Sequence, residues 1–178
     1  GPPGVGKSTA LAGIARESAK VCSLDGMLSG ELRVNGRREG FEVRLIGDGR
    51  SGILASPEVE SDIRFGSRGP DGQPRLGVSH TFLNADACPH LRRLIGSVDL
   101  IVLDEIGAMQ ASAPQFRTVV SEILDSSTPL IASVSLAEDE WLHSIRTRPE
   151  IPVIELSRSN RDLITEMVTR QVKAWCRP

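Results

Sequence analysis

Ala10, Leu11, Ile14 and Ala15 repeat with the spacing of one helical face, which predicts a helix starting near Lys7. Residues 20–24 then predict a short buried strand. From Gly30 to Ile46 apolar positions alternate with polar ones: Leu32 and Val34, a turn at Asn35-Gly36, then Phe41, Val43 and Leu45. Alternation around Asn-Gly predicts a β-hairpin. Residues 51–55 predict a further strand, whereas residues 56–75 are polar and carry Gly66, Gly69, Pro70, Gly72 and Pro74, the composition of a mobile loop. A strand over 76–83 and a helix bearing Leu91, Leu94 and Ile95 follow. The segment Val98 to Leu103 is apolar apart from Asp99, as in a parallel strand covered on both faces. Ser112 and Gln115 have capping-box spacing, with Pro114 in the first turn, ahead of Phe116, Val119, Val120, Ile123 and Leu124 on one helical face. Strands over 130–134 and 152–156 flank a helix with Trp141, Leu142 and Ile145, and a terminal helix carries Leu163, Ile164, Met167, Val168, Val172 and Trp175. Such alternation predicts an α/β fold of three layers, a mainly parallel sheet with helices on both faces and an inserted hairpin, in a single domain over 1–178.

Composition narrows the class. Hydrophobic residues make up 39% of the 178, enough for a sizeable core, and the longest aliphatic runs are far shorter than a bilayer requires, so no membrane association is expected. Net charge is 21 − 23 = −2, there is no Tyr, and aromatics are few, so a stacking platform for nucleic acid is not expected either. A monomer is expected. Cys22, Cys88 and Cys176 are odd in number and scattered, which predicts three small buried thiols and a reducing, cytoplasmic home. His80, His90 and His143 show no metal-ligand spacing.

The chemistry is concentrated in two places. Gly1-Pro2-Pro3-Gly4-Val5-Gly6-Lys7-Ser8 spells the phosphate-binding loop G-x-x-x-x-G-K-[ST]. Its glycines let the backbone turn tightly and aim N–H groups at phosphates, and the helix that follows adds the positive end of its dipole. Lys7 is expected to reach the β- and γ-phosphates and Ser8 to offer its hydroxyl to Mg²⁺. A phosphate loop joins a buried strand to a helix, and the chain opens on the loop's first glycine, so one central strand is expected to be missing by truncation. The second place is the end of the apolar strand, Asp104-Glu105: Asp104 suits the Mg²⁺ ion, held through water, and Glu105 suits a general base that aligns the attacking water. Asp104-Glu105-Ile106-Gly107 also satisfies the D-x-x-G of switch GTPases, but Asn160-Arg161-Asp162 lacks the lysine and spacing of their guanine-selecting N-K-x-D. A carboxylate directly after the metal-associated Asp points to phosphate-loop enzymes that carry their own catalytic Glu, in which Ser133 or Ser135 could act as a polar sensor on a neighbouring strand. A further cation for the transferring phosphoryl group is sought at Arg161 and Arg158, with Arg33 and Arg37 as weaker candidates.

With these residues in view, the chain resembles the nucleoside-triphosphatase family that includes a thermophile-type enzyme and a human cancer-related member. The resemblance rests on the loop at Gly1 to Ser8, Gly30-Glu31-Leu32-Arg33, Arg38-Glu39-Gly40-Phe41, Gly52-Ile53-Leu54-Ala55, Asp104 to Met109 and Asn160-Arg161-Asp162. Where that family commonly reads D-E-I-G-K-M-E, this chain has Ala108 and Gln110, and Gly77-Val78-Ser79 replaces Gly-Lys-Tyr. The resemblance implies a RecA-like sheet and slow, Mg²⁺-dependent hydrolysis of ATP, GTP and other NTPs to NDP and phosphate, with little base preference. The residues expected at the nucleotide are Gly1, Pro2, Pro3, Gly4, Val5, Gly6, Lys7, Ser8, Thr9, Asp104, Glu105, Ile106 and Gly107, with Lys7, Glu105 and Arg161 in catalysis. Two other readings use the same loop: a kinase for a small acceptor or nucleoside, and a nucleotide-dependent switch that binds a protein partner.

Overall fold

A seven-stranded sheet in the order β4-β5-β3-β2-β1-β6-β7 forms the middle layer of the protein, whose computed structural model describes residues 1–72 and 74–176. Its strands are β1 (Leu24–Val34), β2 (Arg37–Leu45), β3 (Ser51–Ser56), β4 (Arg64–Arg68), β5 (Pro74–Val78), β6 (Leu100–Ile106) and β7 (Leu130–Val134). The helices are α1 (Lys7–Ser18), α2 (Cys88–Leu94), α3 (Ala108–Ala111), α4 (Pro114–Leu124), α5 (Glu140–Arg146) and α6 (Arg161–Trp175), with a π-helical turn over Leu83–Ala87 leading into α2.

The sheet is mixed. β1, β6 and β7 run parallel, while β2, β3, β5 and β4 extend β1 by antiparallel pairing, so the inserted hairpin is the start of a larger antiparallel wing. Strand pleating divides the core. From β6, Ile101 and Leu103 point into a cluster with Met27, Val43 and Leu45 of the sheet and Leu91, Phe116, Val120 and Ile123 of α2 and α4. Leu100 and Val102 point the other way, against Leu11 and Ile14 of α1 and Val172 of α6. Helices therefore cover both faces of the parallel part, as the continuous apolar run of β6 requires.

Several local expectations shift. Residues 20–23 form no strand, because the amides of Val21 and Cys22 turn back to the carbonyl of Ser18, and the strand begins at Leu24 and runs unbroken into the hairpin. Asn35 and Gly36 both have positive φ (50° and 78°), the tight hairpin turn expected of Asn-Gly. Within 56–75 lies a strand, β4, which pairs with β5 across a turn containing Gly72; Gln73 lies outside the described residues. The strand expected over 76–83 stops at Val78. Ser112 does not cap α4: the N-cap is Ala113, and the Ser112 hydroxyl donates to the Met109 carbonyl at 2.6 Å. Residues 152–156 are not a strand among the described elements: they have no ladder partner, Pro152 lacks an N–H, and Val153 and Ile154 are exposed.

The cysteines are corrected more sharply. Cys22, just before β1, and Cys176, just after α6, form a disulfide with their Cα atoms 5.4 Å apart. Spacing in sequence could not show this, since 154 positions separate them. Cys88 alone is a buried thiol, and burial pushes its pKa up to about 11.

Candidate active site

The loop before α1 folds as its glycines demand. Gly4 and Gly6 sit at φ 77° and 95°, which side chains rarely tolerate, and a Cβ on Gly1 would lie 2.0 Å from the Leu156 carbonyl oxygen. Val5 is buried against Ala10 and Leu156 and anchors the loop to the protein. Pro2, Pro3 and Gly4 are exposed, as are Ser8 and Thr9 in the first turn of α1. Lys7 curls back into the loop, where its ammonium donates to the carbonyls of Gly1 at 3.2 Å and Pro2 at 3.3 Å. A glycine-rich turn and an ammonium are thus held together at the start of α1, the ingredients of an anion site.

Asp104 and Glu105 lie near the end of β6, which runs to Ile106, and Lys7 of the loop acts on Glu105 electrostatically. Asp104 is 2% exposed and accepts a hydrogen bond from the Ser133 hydroxyl of β7 at 2.5 Å, so of the two serines considered from sequence it is Ser133 that meets the metal-suited carboxylate. Glu105 is half-buried; burial raises its pKa, the Lys7 charge opposes the rise, and Asp104 adds to it. Lys7 and Glu105 act on one another electrostatically, so two sequence segments about a hundred positions apart share one locality. Ile106 is buried in the larger core, and the Gly107 Cα abuts the Gln110 amide.

Ser29 of β1 is a residue that motif reasoning passed over. Its hydroxyl oxygen accepts from the Glu105 backbone N–H at 3.2 Å and from the Gln110 side-chain amide at 2.8 Å, so it holds the chain where Glu105 leaves the sheet. No motif marks it; only the parallel pairing of Leu28 with Asp104 puts Ser29 next to Glu105. Gln110, at the position where the resembled family has Glu, is almost fully buried and satisfied by this bond.

The arginines separate by position. Arg161, at the start of α6, lies against the loop at Gly6, where a Cβ would be 2.8 Å from its Cδ, and its Nε donates to Asp162 at 2.9 Å. Arg158 is exposed. Arg33 is held at the hairpin turn by Glu31 and the Gly36 carbonyl, and Arg37 is exposed beside it. The structure therefore brings Arg161 to the phosphate loop and keeps Arg33 and Arg37 on the hairpin.

Oxygen donors suited to a small hard cation are the exposed hydroxyl of Ser8 and the carboxylate of Asp104, one of whose oxygens is already oriented by Ser133. A buried carboxylate oriented by a hydroxyl partner fits a cation held through water. Among the described residues no helix is long and apolar enough to cross a membrane.

Known proteins are similar to this chain in sequence and in fold. The NTPase family model matches residues 1–169. The nucleoside-triphosphatase THEP1 of Methanothermobacter thermautotrophicus is 38% identical over 166 residues, covering 92% of this chain and 88% of that one. THEP1 of a Thermotoga species is 31% identical over 170 residues, covering 95% and 91%. In three dimensions the crystal structure of THEP1 from the hyperthermophile Aquifex aeolicus superposes with a TM-score of 0.80 at 26% identity, over 96% of this chain and 94% of that one. The solution structure of a human cancer-related nucleoside triphosphatase gives 0.75 at 26% identity, over 98% and 95%. A match running through the phosphate loop, the antiparallel wing, the Asp-Glu strand and most of the last helix places the chain in the NTPase family.

Proposed function

We propose that the protein hydrolyses the terminal phosphate of nucleoside triphosphates, ATP and GTP among them, to give NDP and phosphate, with Mg²⁺ as cofactor. The observation that carries this reading is the proximity of Lys7 and the Gly1 end of the loop to Glu105. In the proposed reaction the backbone N–H groups of Gly4 to Ser8 and the Lys7 ammonium hold the phosphates, and Thr9 stands in the same turn of α1. Ser8 and Asp104 would hold the cation, which would offset negative charge on the triphosphate. Glu105 accepts a proton from water as the water oxygen bonds to the γ-phosphorus. The bridging P–O bond breaks in the same step and its electron pair leaves on NDP. Burial suits Glu105 to the task, because a carboxylate with a raised pKa is a stronger base than an exposed one. Ser29 fixes its backbone and Ser133 fixes Asp104.

Base tolerance is part of the proposal, since the residues assigned here act on phosphates and metal and none of them reads a base edge. The chain is proposed to act as a monomer, without nucleic acid, in the cytoplasm. A reducing compartment would keep Cys22 and Cys176 as thiols, so the state of that pair in cell extracts tests the location directly.

The decisive experiment compares phosphate release from four NTPs by the wild type, Lys7→Ala and Glu105→Gln. Lys7→Ala loses NTP binding; Glu105→Gln keeps binding and loses turnover. Ordinary turnover by the Gln variant removes Glu105 from the mechanism, and acceptor-dependent ADP production in place of phosphate release would make the protein a kinase.

A further inference from the structure

Loop, metal donors and base leave one requirement of phosphoryl transfer unassigned: a second cation, besides Lys7, for the charge that develops on the transferred group. Arg146 meets it by position. It is the last residue of α5, a helix pinned by buried Leu142 and Ile145 and capped by the Asp139 carboxylate, which accepts from the Leu142 N–H at 2.9 Å. Arg146 is half-buried, and its Nη1 donates to the carbonyl of Ser135. Ser135 follows β7 directly, and its amide donates to the Ile106 carbonyl at 3.0 Å, one residue beyond Glu105. The guanidinium is thus tied to the end of the sheet that carries Asp104 and Glu105. It also lies in the neighbourhood of Gly1, the first residue of the phosphate loop.

Its partners are equally telling. Arg117 is taken by Asp139, and Arg148, two residues further on, by Asp125 and Glu150. Arg161 is taken by Asp162. Arg146 has no carboxylate partner among the described residues, and one backbone carbonyl uses one of its five N–H donors. A half-buried guanidinium without a counter-ion among the described residues, fixed at the strand ends that carry Asp104 and Glu105, is suited to an anion that arrives from outside.

We propose that Arg146 is the second cation of this site and binds the terminal phosphate of the nucleoside triphosphate. Arg161, seated at Gly6 and paired with Asp162, then serves the loop side of the nucleotide. The inference rests on the NTPase reading, and its test has an arm that needs no turnover.

Arg146→Gln keeps a donor for Ser135 and removes the charge; Arg146→Lys keeps the charge; Arg148→Gln is the control for loss of a nearby arginine. Melting temperatures of all three establish folding. In titrations with Mg²⁺, Arg146→Gln weakens a non-hydrolysable ATP analogue by about 10-fold or more while ADP affinity stays within 2-fold, as expected for one charge-assisted contact to the γ-phosphate. Phosphate release falls about 100-fold in kcat and is partly restored in Arg146→Lys, with Arg148→Gln unchanged. Equal affinity of wild type and Arg146→Gln for the analogue overturns the proposal, as does full activity of the Gln variant, which would make the Ser135 bond the whole role of the residue. Discrimination between analogue and ADP at Arg146 in a wild type that releases no phosphate would uphold Arg146 and sink the NTPase reading instead.

Discussion

Opening the Cys22–Cys176 disulfide is the perturbation with the largest expected effect on stability away from the site. The bond closes a loop spanning nearly the whole chain, 154 positions, and a cross-link of that span removes about 5 kcal/mol of chain entropy from the unfolded state in the loop-closure treatment. Native contacts do little to replace it. Of the residues of α6 only Val172 is fully buried, Leu163 is 67% exposed and Trp175 50%, and the Lys173–Glu17 contact, at 3.3 Å, is half-exposed and worth little. For a chain of this length about 1 kcal/mol corresponds to roughly 2–4 °C, so complete reduction lowers Tm by about 10–20 °C if the whole entropic gain is realised. The assay is thermal unfolding by circular dichroism with and without a dithiol reductant, alongside thiol counting in denaturant. One titratable thiol, Cys88, is expected in the oxidised protein and three after reduction. Cys176→Ser melts like the reduced wild type and does not respond to reductant. A Tm within 2 °C before and after a reduction that thiol counting shows to be complete would refute the reasoning, because the clip would then not constrain the unfolded chain.

Other consequences are local. Because burial raises the Glu105 pKa, its contribution favours folding at low pH, where it is protonated, and is lost as pH rises through the folded-state value. Glu105→Gln therefore melts higher than wild type at pH 7 and equal to it at pH 4, and the acid limb of the wild-type activity profile lies above the ordinary Glu value of 4.5. Removing the Ser133 hydroxyl in Ser133→Ala leaves the buried Asp104 carboxylate without its 2.5 Å partner, so half-maximal activity needs more Mg²⁺ while NTP affinity at saturating Mg²⁺ changes little, as a metal titration shows. Cys88, raised to about 11, is less than 1% thiolate at pH 8, so iodoacetamide leaves it unmodified in the native protein and labels it in denaturant, as peptide mass shows. Phe116→Ala opens a cavity in the larger core and costs about 3–5 kcal/mol, measured by urea unfolding.

Much of the protein was legible in local pattern. Strand β6, helices α1, α4, α5 and α6, and the Asn35-Gly36 turn depend on periodicity and turn chemistry that neighbouring residues supply. The phosphate loop is legible for the same reason: its glycine conformations and Lys7 are contiguous in sequence. Strand β4 was not, because Gly66 and its polar neighbours carry no alternating apolar face, and the strand is held by pairing with β5. Residues 152–156 failed in the opposite sense, having strand-like apolar character with no ladder to join.

The family and the candidate reacting groups were therefore proposed from composition and spacing: a loop for phosphates and an acidic pair after a buried strand. Proximity was not. That Ser29 holds Glu105, that Ser133 rather than Ser135 meets Asp104, that among the described residues Arg146 stands without a carboxylate where Arg148 has two, and that Cys22 finds Cys176 are outcomes of strand register and helix placement. Periodicity reports on neighbours within a few residues, whereas these contacts join segments up to 154 positions apart, and only the packing of helices on both faces of one sheet brings them together.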